Sequence, residues 1–365
     1  MVDAAAVRAL VEQVEDPELH RSMKELGMLR ELDVSPSGDV SVLVALTIPG
    51  CPLKDELTDD IAAAAARVEG VGRVTVEFTT MTDTERAGVM QSVRGGAARE
   101  IQVGNAGSST RVIAISSGKG GVGKSSVTAN LAVALARAGR TVGIIDADVW
   151  GFSIPKMLGI DRGPTVIDET LLPPEIHGVR VMSMDFFVPP DQAVIWRGPM
   201  LHKAMEQFLA DVHWGDPDYL LIDMPPGTGD IAISMSQFLP RAQAILVTTP
   251  QITAQRVAKR AALMAEKVNQ EVLGVVENMS WFTGDDGVRY PIFGEGGGQT
   301  LASELGVPLL ARIPLVPALR EGADRGLPAT IADPGGEATS AFEELAAQVE
   351  SRRPRLRSHP ELIVR

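Results

Sequence analysis

The pattern of apolar and polar positions changes period once along the chain. In the first part, "DAAAVRALVEQV" spaces its apolar residues three and four apart, which predicts an amphipathic helix. "LRELDVSPSGDVSVLVALTI" predicts two strands about a turn at Ser35, Pro36, Ser37, Gly38 and Asp39. "PLKDELTDDIAAAAARVEG" predicts a helix with Pro52 near its start and Gly70 past its end, and "VGRVTVEFTTM" a third strand. Together these give a small α+β domain over residues 1–85. Residues 86–109 lose the pattern, become rich in Gly, Ala and Ser, and read as a linker with a helical start.

From Arg111 onward, short unbroken apolar runs alternate with helical stretches. The runs are "RVIAISS", "TVGIIDAD", "VRVMSM", "YLLIDMPP", "AQAILVTTP", "EVLGVVEN" and "PLLARIPL". Strands apolar on both faces belong to a sheet covered on both faces. The expectation for residues 110–350 is therefore an α/β domain with a doubly wound, mostly parallel sheet. Residues 351–365, with Pro354 and Pro360, read as a loosely ordered tail.

One junction between these elements carries chemistry. Gly118-Lys119-Gly120-Gly121-Val122-Gly123-Lys124-Ser125 satisfies G-x-x-x-x-G-K-[ST], with an apolar strand before it and "SVTANLAVALARAG" as a helix after it. Glycines let the backbone wrap so that its N–H groups point at phosphate oxygens, and the helix N-terminus adds partial positive charge. The expected nucleotide contacts run from Gly118 through Ser126. Lys124 would reach the β- and γ-phosphates of ATP, and the Ser125 hydroxyl would ligate Mg2+. Two further strands end in acids, Asp146 with Asp148 and then Asp223, at the carboxyl edge where open α/β sheets bind ligands. Asp223 is the better candidate for the Mg2+ shell.

Composition narrows the function classes. The chain has 365 residues, 45% hydrophobic and 22% charged, a length that suits two domains. Its net charge of -13 argues against non-specific nucleic-acid binding. No long apolar run suggests a membrane span, the N-terminus lacks a basic leader region, and there is one cysteine. The expectation is a cytoplasmic protein with no nucleic-acid or membrane partner.

"GKGGVGKS" resembles the deviant phosphate loop of the MinD/ParA/nitrogenase-iron-protein class. The resemblance implies a homodimer in which Lys119 crosses the interface to the partner's nucleotide. It implies that Asp146 orients the attacking water, that Gly227, Thr228 and Gly229 form a γ-phosphate switch, and that Asn278 reads the adenine edge. "DADVWGFSIPKMLG", "VIWRGPM", "DYLLIDMPPGTGDI", "TTPQITAQRVAKRA" and "GVVENMSWF" together resemble the Mrp/ApbC family of iron–sulfur cluster carrier ATPases. "EDPEL", "LGML" and "LTIPGCPLKDEL" resemble the iron–sulfur assembly domain that many members carry at the front. The implied function is ATP hydrolysis coupled to delivery of clusters to apoprotein clients, in exchange with assembly factors.

The chain departs from that family at one place. Members usually carry a C-x-x-C pair shortly after "ENMS", and here the segment is Thr283-Gly284-Asp285-Asp286-Gly287, without sulfur. Carboxylates are hard ligands, poorly matched to iron–sulfur centres. The segment reads instead as a polar hairpin turning at Asp286-Gly287. Cys51 is then the remaining cysteine for an iron–sulfur ligand, near a helix N-terminus that stabilises thiolate. A buried apolar role for it stands beside that reading. The alternative function is a dimeric nucleotide switch or scaffold that binds no cluster.

Overall fold

The structure, a computed structural model, describes residues 2–48, 53–93, 101, 103–104, 107–149, 151–188, 198–227, 230–268 and 270–352. The chain divides into two compact units. One is Met1–Glu100 with Thr165–Leu172 and Asp211–His213; the other is Ile101–Pro164, Pro173–Ala210 and Trp214–Arg365.

In the first unit, α1 (Ala4–Val11) starts at Asp3, whose carboxylate accepts the N–H groups of Ala5 and Ala6. That cap satisfies donors the helix leaves free. β1 (Leu29–Val34) and β2 (Val40–Leu46) pair antiparallel about the Ser35–Asp39 turn. β2 alternates as a half-buried strand should, with Val40, Val42 and Val44 inward. α2 (Lys54–Ala65) buries Leu57, Ile61, Ala64 and Ala65 and returns the chain to β3 (Val74–Thr80), parallel to β2. α3 (Asp83–Val93) then occupies the front of the stretch expected to be linker. Its Met90 and Val93 join the core formed by Val7, Met23, Leu57 and Ile61. Residues 86–93 thus belong to a mostly exposed helix that sends two side chains into that core, packing that the sparse apolar pattern did not announce.

The second unit opens with β4 (Arg111–Ser117), α4 (Lys124–Arg137), β5 (Val142–Asp146) and α5 (Ile154–Leu158). β6 (Thr165–Ile167) and β7 (Thr170–Leu172) form a hairpin that belongs to the first unit, where Ile167 and Leu172 enter its core. The second unit resumes with β8 (Glu175–Ile176), β9 (Val179–Ser183), α6 (Gly198–Ala210), β10 (Tyr219–Asp223) and α7 (Asp230–Phe238). There follow β11 (Gln243–Thr248), α8 (Ile252–Lys267), β12 (Glu271–Glu277), the short β13 (Phe282–Thr283) and β14 (Arg289–Tyr290), α9 (Gly297–Leu305) and β15 (Leu309–Arg312). α10 (Pro317–Asp324), α11 (Ala329–Ala332) and α12 (Glu337–Ser351) close the unit.

Its sheet has the order β15-β12-β11-β4-β10-β5-β9-β8, parallel throughout except for the edge pair β8–β9. Each apolar run picked out above is one of its parallel strands. Along β11, Ile245 and Val247 enter a core shared with α4 and α12, while Leu246 enters another shared with α8 and α9. Burial on both faces is why these strands read as continuous apolar runs. Among the described residues no helix is long and apolar enough to cross a membrane.

Candidate nucleotide site

The loop between β4 and α4 lies at the carboxyl end of a central strand. Gly121 and Gly123 have φ of 76° and 81°, a left-handed conformation that favours glycine. A Cβ at Gly120 or Gly121 would meet nothing within 4 Å, so both line open space. Gly123 supplies no side-chain cap to α4, which leaves the first-turn N–H groups for an anion. The loop from Lys119 to Ser126, with Asp148 and Met157, lines a cavity of about 360 Å³.

Gly118 is needed for a different reason. A Cβ there would overlap the backbone of Val257 and Ala258 in α8. Backbone cannot rotate aside as a side chain can. Gly118→Ala is therefore expected to cost about 1–3 kcal/mol of stability by overpacking and to weaken nucleotide binding with it. Thermal unfolding and a nucleotide titration on the same variant check this; wild-type values in both would show that the loop and α8 are not in tight contact.

The charged groups converge at the head of α4. The buried Lys124 ammonium stands 2.8 Å from Asp223 Oδ2 and 3.4 Å from Asp148 Oδ2. The Ser125 hydroxyl donates to Asp223 Oδ2 at 2.6 Å, and the Thr128 hydroxyl to Asp223 Oδ1 at 2.8 Å. Burial raises the Asp223 carboxyl above its ordinary value, and the charge of Lys124 offsets only part of that rise.

Asp146 and Asp148 have different surroundings. Asp146 is fully buried in β5, in register with Asp223. Its Oδ1 accepts the N–H of Asp148, and its Oδ2 accepts the N–H groups of Ser153 and Ile154 and the Ser183 hydroxyl. Burial first, and the charge of Asp223 second, push its pKa up to about 7. Asp148 lines the cavity, and its buried Oδ1 has no hydrogen-bond partner. A polar atom left unpaired in a buried site is costly unless a ligand or water completes it. The carboxylate presented to the cavity is thus Asp148, while Asp146 ties down the loop that carries it.

Two other expected residues make contacts within their own subunit. Lys119 Nζ lies 3.3 Å from Gln251 Oε1, at the start of α8. Asn278 Nδ2 donates to the Val122 carbonyl at 2.9 Å, so the side chain expected at the adenine edge braces the phosphate loop. A Cβ at Gly123 would collide with that amide. Gly227 donates its N–H to the Ser117 carbonyl at 3.0 Å. Thr228, Gly229 and Cys51 lie outside the described residues.

These features fit a nucleoside triphosphate with Mg2+: a glycine cradle, an uncapped helix start, a buried lysine, a hydroxyl beside a strand-end carboxylate and an acid at the cavity with one unpaired oxygen. The segment in place of the C-x-x-C pair is organised differently. β13 and β14 form an antiparallel hairpin held by Glu337, which accepts from the Trp281 indole, the Thr283 hydroxyl and Arg289, each at 2.8 Å. Arg289 stacks 4.3 Å over the Trp281 ring. Asp286 accepts the Tyr290 hydroxyl at 2.6 Å. Among the described residues no group of three or more His, Cys, Asp or Glu side chains is placed to hold a metal ion.

Residues 108–350 match the family of NUBPL iron-transfer P-loop NTPases, and residues 4–78 match the iron-sulfur cluster assembly protein family. The chain is 46% identical to an iron-sulfur cluster carrier protein of Mycobacterium bovis, covering 96% of this chain and 93% of that one. It is 43% identical to the protein of the same name in Bacillus subtilis, covering 86% and 89%. Among solved structures, a nucleotide-binding protein of Archaeoglobus fulgidus in complex with ADP matches with a TM-score of 0.55 and 37% identity, over 64% of this chain and 93% of that chain. These likenesses favour the carrier reading over a cluster-free switch. The chain belongs to the NUBPL iron-transfer P-loop NTPase family, with an iron-sulfur cluster assembly domain ahead of the NTPase domain.

Proposed function

We propose that this chain is an ATP-hydrolysing iron–sulfur cluster carrier, acting in the cytoplasm as a homodimer that delivers clusters to apoprotein clients. The observation that carries the nucleotide part is the convergence of Lys124, Ser125 and Asp148 on one glycine-lined cavity, with the buried Asp223 held against Lys124 and Ser125. The carrier part is supported by relatives that bear that name over nearly the whole chain.

The residues divide the work by position. The glycine loop and the first turn of α4 bind phosphate oxygens through backbone N–H groups. Lys124 leaves its carboxylate partners to neutralise the β- and γ-phosphates. Ser125 and Asp223 would hold Mg2+, which supplies charge stabilisation to the transferring phosphoryl group. Asp148 takes the water-orienting role that the resemblance gave to Asp146, because its side chain lines the cavity whereas Asp146 is fully buried and held by four donors. Asn278 keeps the phosphate loop in shape through Val122. Lys119 acts on the partner's nucleotide once it exchanges Gln251 for a phosphate.

The cluster is cargo, and its ligands are not at the β13–β14 hairpin, which carries no sulfur and where Asp286 is engaged by Tyr290 and Arg289 by Glu337 of α12. Cys51 supplies the thiolate, one from each subunit. A low-molecular-weight thiol completes the set. Anaerobic reconstitution with iron and sulfide tests this. Wild type is expected to gain iron and the visible absorption of a cluster, and Cys51→Ser to gain neither. Equal uptake by both would remove Cys51 as ligand. No uptake by wild type, with ATP hydrolysis intact, would overturn the carrier assignment.

A further inference from the structure

Asp223 has two oxygens with separate sets of partners. Oδ2 meets the Lys124 ammonium at 2.8 Å and the Ser125 hydroxyl at 2.6 Å, the two groups that must move or share when Mg2+ and phosphate arrive. Oδ1 meets the Thr128 hydroxyl at 2.8 Å. Thr128 is fully buried and one helical turn beyond Lys124, so it shares the face of α4 that looks onto the end of β10. Its hydroxyl also lies 3.1 Å from the Lys124 carbonyl. One hydroxyl proton makes one strong bond, and the shorter, charge-assisted contact to Asp223 is the better of the two.

From this the geometry points to Thr128 as a positioning residue for magnesium: by holding Oδ1 it fixes the rotation of the Asp223 carboxylate and keeps Oδ2 aimed at Ser125. The inference rests on the Mg2+–nucleotide reading of the site. Thr128 touches neither phosphate nor metal. It acts as outer-shell partners of metal-site carboxylates do, by removing a rotation that would otherwise be lost when the ion binds. A buried carboxylate oxygen without that donor would also be unsatisfied, so the carboxylate would turn to recover a partner and draw Oδ2 off Ser125.

The test is a titration of a fluorescent ATP analogue against the full-length protein, with excess EDTA and with Mg2+ at increasing concentration. Thr128→Val keeps the shape and removes the donor. Thr128→Ser keeps the donor and removes a methyl. With Thr128→Val, the Mg2+ concentration for half-maximal enhancement of binding is expected to rise about tenfold or more. Its affinity in EDTA is expected to match wild type, and Thr128→Ser to restore the wild-type Mg2+ response. Thermal unfolding of each variant in EDTA separates this from loss of folding, which would lower the affinity in EDTA as well. An unchanged Mg2+ response in Thr128→Val would overturn the assignment, as would parallel losses with and without Mg2+, or a Thr128→Ser variant that behaves like Thr128→Val. Wild type that binds nucleotide identically with and without Mg2+ would overturn the magnesium reading of the whole site, a result distinct from the others because it appears before any substitution.

Discussion

Lys124→Ala is expected to lose nucleotide affinity by about a hundredfold or more, while Lys119→Ala binds as wild type does and hydrolyses more slowly. The two lysines lie five positions apart in one loop, so composition cannot separate them; their surroundings do. Lys124 is buried, paired with Asp223 at 2.8 Å and near Asp148 at 3.4 Å. Removing it deletes the cation that answers the phosphates. It also leaves two buried carboxylates facing the incoming polyphosphate without compensation. Breaking a buried ion pair by removing one partner costs about 3–5 kcal/mol, and each 1.4 kcal/mol is tenfold in binding. Lys119 stands instead against Gln251, a neutral amide, and no buried charge is orphaned when it goes. Equilibrium binding and single-turnover hydrolysis on both variants check the contrast. Equal loss of binding in the two would remove the trans assignment of Lys119.

The sequence made the sheet legible because its strands are buried on both sides. Ile245 and Val247 serve one core and Leu246 the other, which leaves no polar position to break the run. The phosphate loop was legible because its chemistry is local: a glycine turn and a helix start need only consecutive residues. What joins the loop to distant strands was harder to see. Asn278 meets Val122 across 156 positions of chain, and no spacing rule reaches so far. The adenine-edge role of Asn278 comes from the resemblance, whereas its contact with Val122 follows only from the fold. The reading of residues 86–109 as a linker with a helical start stops short of a packed helix because only Met90 and Val93 of α3 are buried, too few to impose a helical period. Asp146 and Asp148 look alike as strand-end acids in the sequence, and where β5 ends is what separates their surroundings. Asp146 is its last residue and stays in register with Asp223, so its carboxylate is enclosed by the sheet and the returning loop. Asp148 lies beyond the strand and faces the cavity.

Asp148→Asn is expected to bind ATP at least as tightly as wild type and to hydrolyse it about a hundredfold or more slowly, the range for removal of a positioned general base. The substitution keeps the size of the side chain and removes its charge. With that charge gone, Lys124 is released from one of its two carboxylates and the phosphates meet one negative neighbour fewer, so affinity holds or rises. The oxygen that is unpaired and buried in wild type becomes part of a neutral amide that cannot take a proton from water. Asp146→Asn is the informative companion. Asp146 accepts four donors, three of them backbone N–H groups. An amide there turns an NH2 group toward some of those donors, so the loop from Asp148 to Ile154 loses its anchor. Its expected signature is a lower melting temperature in the absence of nucleotide, with hydrolysis falling only as the loop loosens, whereas Asp148→Asn melts as wild type does. Binding titrations, single-turnover rates and melting temperatures of the two variants separate the roles. If Asp148→Asn hydrolyses ATP at the wild-type rate, and Asp146→Asn loses hydrolysis without loss of melting temperature, the water-orienting carboxylate is Asp146, and Asp148 lines the cavity without taking part in the chemistry.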